Sequence, residues 1–133
     1  MEEYARTVAV TALSLLVYAS FGIQVGRVRR KTGIAAPIMS GDPLLERAIR
    51  VHENTLEWLP IYLVSLWLFA WAWGDLAATV VGLVWVVGRL LYSRGYMADP
   101  SKREAGFLVQ LLASAVLLFG AFGRALWLIA TGA

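Results

Sequence analysis

Between Glu46 and Pro60 the chain reads Glu46-Arg-Ala-Ile-Arg-Val-His-Glu-Asn-Thr-Leu-Glu-Trp-Leu-Pro60, a block of charge at the start of a hydrophobic run of membrane length. Ionisable groups are costly at bilayer depth, and those that persist there face a protein interior or an aqueous cavity and act in it. At about 100° per residue, Glu46, Arg47, Arg50, Glu53, Asn54 and Glu57 share an arc of roughly 120° on one helix face, with His52 nearly opposite. Two further polar stripes follow. Arg89, Tyr92 and Tyr96 stand at i, i+3 and i+7, and Arg103 opens a line continued by Gln110 and Ser114. Guanidinium groups form bidentate forks on carboxylates, and Arg47, Arg50, Arg89 and Arg103 outnumber Glu46, Glu53 and Glu57, so the set suits an anionic ligand.

Each of these residues also has a plainer reading. Pairs such as Glu46 with Arg50 can be internal glue that fixes helix register. His52 fits a hydrogen bond to a neighbouring helix or subunit as well as a ligand contact. Tyr92 and Tyr96 can be interfacial aromatics, as tyrosine commonly is at membrane surfaces. The glue reading accounts for single pairs better than for three stripes converging on one end.

The elements that must position these groups are four apolar segments. The first spans about residues 4–25, long enough to cross a hydrocarbon core of roughly 30 Å. It ends at the basic cluster Arg27, Arg29, Arg30 and Lys31, followed by a turn-rich loop to Asp42-Pro43, an N-cap and first helical position. The second runs from Leu44 to about Trp73. Its purely apolar part from Trp58 covers only about 24 Å as a helix, so some of the polar half must lie at membrane depth. Pro60 removes one backbone bond and is expected to kink this helix beside the polar stripe. Gly74-Asp75 permits only an antiparallel return into a third segment, about residues 76–91 and beyond, and a loop over 93–104 leads to a fourth over 105–130. Gly22-Ile-Gln-Val-Gly26 offers a small-residue packing face, with Gln24 placed to bond across helices. The expected fold is an all-α integral membrane protein, one domain over residues 1–133, folded as an antiparallel bundle of four transmembrane helices.

Composition agrees: 133 residues, 59% hydrophobic, with a mean hydropathy of +0.67. The charge of +3 sits at the ends of apolar runs, a pattern of membrane topology rather than of a nucleic-acid-binding face. Without cysteine there is no disulfide framework and no protein thiol, and a single histidine argues against a transition-metal site. Met1-Glu2-Glu3 is acidic where a secretory leader is basic, so the first segment is expected to be retained. Arg27, Arg29, Arg30, Lys31, Arg94, Lys102 and Arg103 all fall in the two loops on one side, against Arg6 and Arg124 on the other. The positive-inside rule puts those loops, and the polar end of the second segment, in the cytoplasm. In a bacterium this would be the plasma (inner) membrane.

With Arg29-Arg30 ending the first helix, Glu46-Arg47…Arg50…His52…Asn54…Glu57…Pro60 on the second, and Arg89…Tyr92…Gly95-Tyr96 leading to Arg103, nearly the whole chain resembles the MAPEG family. These are membrane-associated proteins of eicosanoid and glutathione metabolism, including microsomal glutathione transferases. The resemblance implies a homotrimer of four-helix protomers binding glutathione, as co-substrate, between subunits at the cytoplasmic side. Arg50, His52, Asn54, Glu57, Tyr92 and Tyr96 would hold glutathione, with Arg29 or Arg30 joining from helix one. Arg103 would activate the thiol, and Arg30 would act at the lipid substrate. Trp58 stands where the leukotriene-forming branch has tyrosine, and Glu104 where the prostaglandin branch has serine. The implied reaction is conjugation of glutathione to hydrophobic electrophiles arriving from the membrane, with reduction of lipid hydroperoxides as a second activity. A free thiol of pKa about 8.5 is mostly protonated at neutral pH, and a nearby guanidinium favours the nucleophilic thiolate.

Two other classes compete. A non-catalytic trimer that binds lipid or acts as a scaffold would keep the fold without needing Arg50, Glu57 and Arg103 together. A small four-span transporter would need a membrane carboxylate without so many arginines beside it.

Overall fold

Several helix ends fall on residues whose local chemistry favours a boundary there. The computed structural model describes all 133 residues. After a short 3-10 turn, α1 covers Ala5–Thr32, α2 Pro43–Trp73, α3 Asp75–Ala98 and α4 Glu104–Thr131, with a second 3-10 turn at Pro100–Arg103. Asp42 caps α2, accepting from the backbone N–H groups of Leu44 at 2.8 Å and Leu45 at 3.2 Å, with Pro43 in the first turn where its missing N–H costs nothing. Gly74, at φ +94, turns the chain from α2 into α3 in one residue, as the antiparallel return requires.

Two boundaries differ from the sequence expectation. α1 does not end at the basic cluster but continues through it to Gly33, whose left-handed φ of +73 closes the helix. Arg29, Arg30 and Lys31 occupy its last turn, where cations complement the helix dipole. Likewise α3 continues to Ala98 rather than dissolving at Ser93. Its terminal carbonyls, on Met97 and Ala98, accept from Arg47 Nη1 of α2 at 3.3 and 3.4 Å. α2 runs as a single helix through Pro60, which is exposed.

All four helices are long and apolar enough to cross a membrane. Many large apolar side chains, among them Leu16, Trp71, Phe119 and Ile129, point outward. So broad an apolar exterior suits lipid or partner contact rather than water. The interior is tied by directed contacts. Tyr62 stacks on Trp85 with ring centroids 3.8 Å apart, and its hydroxyl lies 2.8 Å from Ser14 Oγ. Ser14 Oγ also lies 2.7 Å from Val10 O and the Tyr62 hydroxyl 3.4 Å from Gly82 O, so the hydroxyl pair joins α1, α2 and α3. At the opposite end from the basic loops, Asp75 accepts from Thr7 N at 2.7 Å and Thr7 Oγ1 at 2.8 Å, so the start of α3 caps the start of α1.

The closest approach is between α3 and α4, and it depends on glycine. A methyl group added at Gly88 would lie 2.7 Å from Gln110 N, and one at Gly106 would run into the backbone of Tyr92. The two backbones therefore touch, in the small-residue manner of membrane helix pairs. Small residues in α1 act more weakly. Gly22 faces the His52 ring, whereas Gly26 has open space beside it, and Gln24 accepts from Ser93 Oγ at a long 3.5 Å.

Candidate functional site

Tyr92 and Tyr96 on α3 and Arg50 and Asn54 on α2 are each about one turn apart, so a single crossing of the two helices brings all four together. The α3–α4 contact through Gly106 then sets Arg103, at the amino end of α4, beside them. Arg50, Asn54, Tyr92, Tyr96 and Arg103 line one cleft of about 290 Å³, together with Glu104 and Phe107. Tyr92 and Asn54 are buried at its floor, while Arg50, Arg103 and Glu104 are exposed at its mouth. The Tyr92 and Tyr96 rings sit 5.6 Å apart, and the Arg103 guanidinium lies 5.8 Å from the Tyr96 ring centroid. Phe107 contacts Tyr92 at 6.2 Å and Trp58 at 5.8 Å, between centroids, closing the apolar edge.

The charges pair differently from the nearest spacing on the helix. Arg50 does not engage Glu46; Nη1 bonds Glu57 Oε1 at 3.0 Å and stands 3.8 Å from Glu53. Both ends of the closer pair remain about half exposed, at 47% and 55%. At such exposure an ion pair contributes little to stability, and both groups stay available to a ligand. Arg47, on the same stripe, instead caps α3. Arg89 lies beneath the cleft rather than in its wall, fully buried and bonded to Asn54 and Thr55. Gln110 and Ser114 are buried on α4, Gln110 beside Gly88 of α3, and their side chains have no hydrogen-bond partner in the protein.

Glu57 is outside the lining and meets the cleft only through Arg50, and three further expected contacts stand apart from it within the protomer. His52 stacks on Tyr18 of α1, with ring centroids 4.7 Å apart. Arg29 donates to the carbonyls of Ile38 at 2.6 Å and Ile34 at 3.3 Å, holding the loop after α1. Arg30 is exposed beside it. Glu104 and Phe107 were not singled out as ligand contacts from sequence. Their i, i+3 spacing, with Glu104 next to Arg103 and Phe107 one turn beyond it, is the signal that could have found them.

The turn that delivers Arg103 has its own lock. Asp99 accepts from Ser101 N and Ser101 Oγ, both at 2.9 Å, and these bonds hold its carboxyl below the ordinary carboxylate range. A depressed folded-state value means that the stabilisation is present above the unfolded pKa and is lost as pH falls through the folded one. The protection of the Ser101 and Lys102 amides against exchange, measured relative to an unfolded chain, should therefore drop only in acid. Asp99→Asn keeps an acceptor and should remove that acid step, whereas Asp99→Ala should lose the protection at every pH.

A larger apolar groove, about 710 Å³, runs between the far ends of α2 and α4, lined by residues such as Trp71, Phe119 and Phe122. Its one charged residue, Arg124, lies 4.6 Å from the Trp127 ring centroid and 5.7 Å from that of Trp73. The groove is chemically suited to hydrocarbon; the polar cleft is where donors converge.

Residues 7–123 match the MAPEG family. The chain is 42% identical over 118 residues to an uncharacterised protein of Synechocystis sp., covering 89% of this chain and 86% of that one. It is 39% identical over 118 residues to microsomal glutathione S-transferase 2 of Homo sapiens, over 88% and 80% of the two chains. Leukotriene C4 synthase of Bos taurus is 35% identical over 128 residues, with 96% of this chain and 77% of that one covered.

Proposed function

The chain belongs to the MAPEG family, and from that premise we propose that it is a membrane transferase joining glutathione to hydrophobic electrophiles. The observation that carries the proposal is the convergence of Arg50, Asn54, Tyr92, Tyr96 and Arg103 on one cleft. Relatives named as glutathione transferase and leukotriene C4 synthase support the same chemistry.

Glutathione carries two carboxylates, one ammonium and one thiol. The exposed Arg50–Glu57 pair offers a cation and a carboxylate side by side, a match for the amino-acid end of the γ-glutamyl group. Asn54, Tyr92 and Tyr96 supply hydrogen bonds along the peptide. Arg103, at the positive amino end of α4, stabilises the thiolate. The sulfur attacks the electrophilic carbon, a C–S bond forms, and the leaving group departs with its electron pair. With a lipid hydroperoxide the same sulfur attacks the O–O bond, releasing the alcohol, and a second glutathione completes reduction to the disulfide and water.

The site is proposed to be completed in a homotrimer. A cleft of about 290 Å³ falls just short of the roughly 300–1,000 Å³ of pockets that enclose a small ligand. The exposed apolar surface of the protomer needs a cover. A neighbouring α1 face would bring Arg29 or Arg30 together with His52, and the electrophile would enter from the bilayer, where Arg30 acts on it. The charge asymmetry of the loops supports a site facing the cytoplasm, which in a bacterium would be at the plasma (inner) membrane.

The test is glutathione-dependent conjugation of chlorodinitrobenzene by the detergent-purified or liposome-reconstituted protein. Turnover that requires glutathione and falls in Arg50→Ala supports the transferase. No turnover and no glutathione binding would favour a non-catalytic, lipid-holding trimer.

A further inference from the structure

Arg89 is a buried cation without a carboxylate partner. It is fully enclosed between α2 and α3, Nη1 donating to Asn54 Oδ1 at 2.9 Å and Nη2 to Thr55 Oγ1 at 2.7 Å. Thr55 gives its own proton to Val51 O at 2.8 Å, so it can only accept from Arg89. The guanidinium carbon lies 4.3 Å from the Tyr92 ring centroid. Both Asn54 and Tyr92 line the cleft. Enclosing an unpaired charge is costly, and apolar side chains of similar volume commonly stabilise such positions. Packing alone therefore gives no reason for an arginine here.

Its effect on Asn54 is directional. A guanidinium has donors and no acceptor, so it accepts only one orientation of the amide. With Oδ1 held inward by Arg89, the Asn54 NH₂ group is the part left to face the cleft. Beneath that donor sits a positive charge in a low-dielectric interior, where its field is weakly screened.

We propose that Arg89 is a positioning residue that selects the anionic form of the ligand: it turns the Asn54 amide donor toward the cleft and holds an uncompensated positive charge under it. The inference rests on the reading of the cleft as a glutathione site and adds to it a residue that glutathione does not touch.

Three substitutions separate the two effects. Arg89→Lys keeps the charge, Arg89→Gln keeps a donor for Asn54 Oδ1 without the charge, and Arg89→Met keeps neither. The readouts are thermal unfolding, calorimetric Kd for glutathione, and the pH titration of thiolate absorbance in bound glutathione. Arg89→Met should unfold at or above the wild-type temperature, bind glutathione at least tenfold more weakly, and shift thiolate formation to higher pH. Arg89→Gln should keep most of the affinity yet show the same alkaline shift, and Arg89→Lys should titrate like wild type. Folded neutral variants with unchanged Kd and unchanged titration would overturn the proposal. So would neutral variants that fail to fold while Arg89→Lys folds, since the charge would then serve the fold. Failure of the wild-type protein to bind glutathione would instead remove the functional reading itself.

Discussion

Arg103→Ala should still bind glutathione but lose most of its thiolate, with turnover at neutral pH falling about tenfold or more. A hydrogen bond to a charged group contributes about 1.5–3 kcal/mol, and each pKa unit corresponds to about 1.4 kcal/mol. One such contact therefore lowers a thiol from about 8.5 by about one to two units. At pH 7 that raises the thiolate fraction from about 3% to roughly a quarter to three quarters. Arg103 stands where this contact can form, at the amino end of α4 and at the mouth of the cleft beside Tyr96. Because the exposed guanidinium makes no ion pair within the protein, its removal should leave thermal unfolding nearly unchanged. The pH–rate profile of the variant should move to higher pH and recover much of the lost rate in alkali. Stopped-flow absorbance of the thiolate, read beside steady-state turnover, checks both halves. A wild-type pH profile in Arg103→Ala would remove Arg103 from the chemistry.

Gly106→Ala should do the opposite, damaging the fold and losing the site as a consequence. The added methyl group has no flexible side chain to displace; it meets the Tyr92 backbone. Overpacking in a well-packed core costs typically about 1–3 kcal/mol, and a backbone-to-backbone collision belongs at the upper end. The helices must separate, and separation moves Arg103 and Glu104 away from Tyr92 and Tyr96. Unfolding temperature and glutathione affinity should therefore fall together, unlike in Arg103→Ala. Gly88→Ala, facing Gln110, should behave in the same way. Gly123→Ala is the control: it has nothing within 4 Å, and alanine is the better helix former by up to about 1 kcal/mol. Circular dichroism melts in detergent and calorimetry on the three variants decide the point. Wild-type stability in Gly106→Ala would contradict the close α3–α4 contact.

The membrane bundle and five of the cleft residues were legible in the chain because both follow from periodicity. Arg50 and Asn54 share a helix face by spacing, as do Tyr92 and Tyr96, and apolar runs of membrane length bring polar groups at corresponding depths together. The Asp42-Pro43 start and the Gly74 turn were legible because backbone chemistry dictates them locally. What spacing could not decide was which arginines are free. Arg47 and Arg29 hold backbone carbonyls, and Arg89 holds Asn54 from below, because of neighbours brought in from other segments. Nor does spacing decide that Arg50 pairs with Glu57, two turns away on the same helix, and not with Glu46. The extent of α3 was underestimated because its last carbonyls are satisfied by Arg47, a contact from α2. Glycines in α1 form a recognisable small-residue pattern, yet the tight helix contact falls at Gly88 and Gly106, which carry no such signature.

The decisive measurement of glutathione capture is calorimetric titration of glutathione into the detergent-purified wild-type protein, with thiolate absorbance followed in the same samples. Saturable binding and a thiolate band at neutral pH are expected, both lost when Arg50→Ala and Arg103→Ala are combined. No binding heat and no thiolate band with the folded wild-type protein would contradict it.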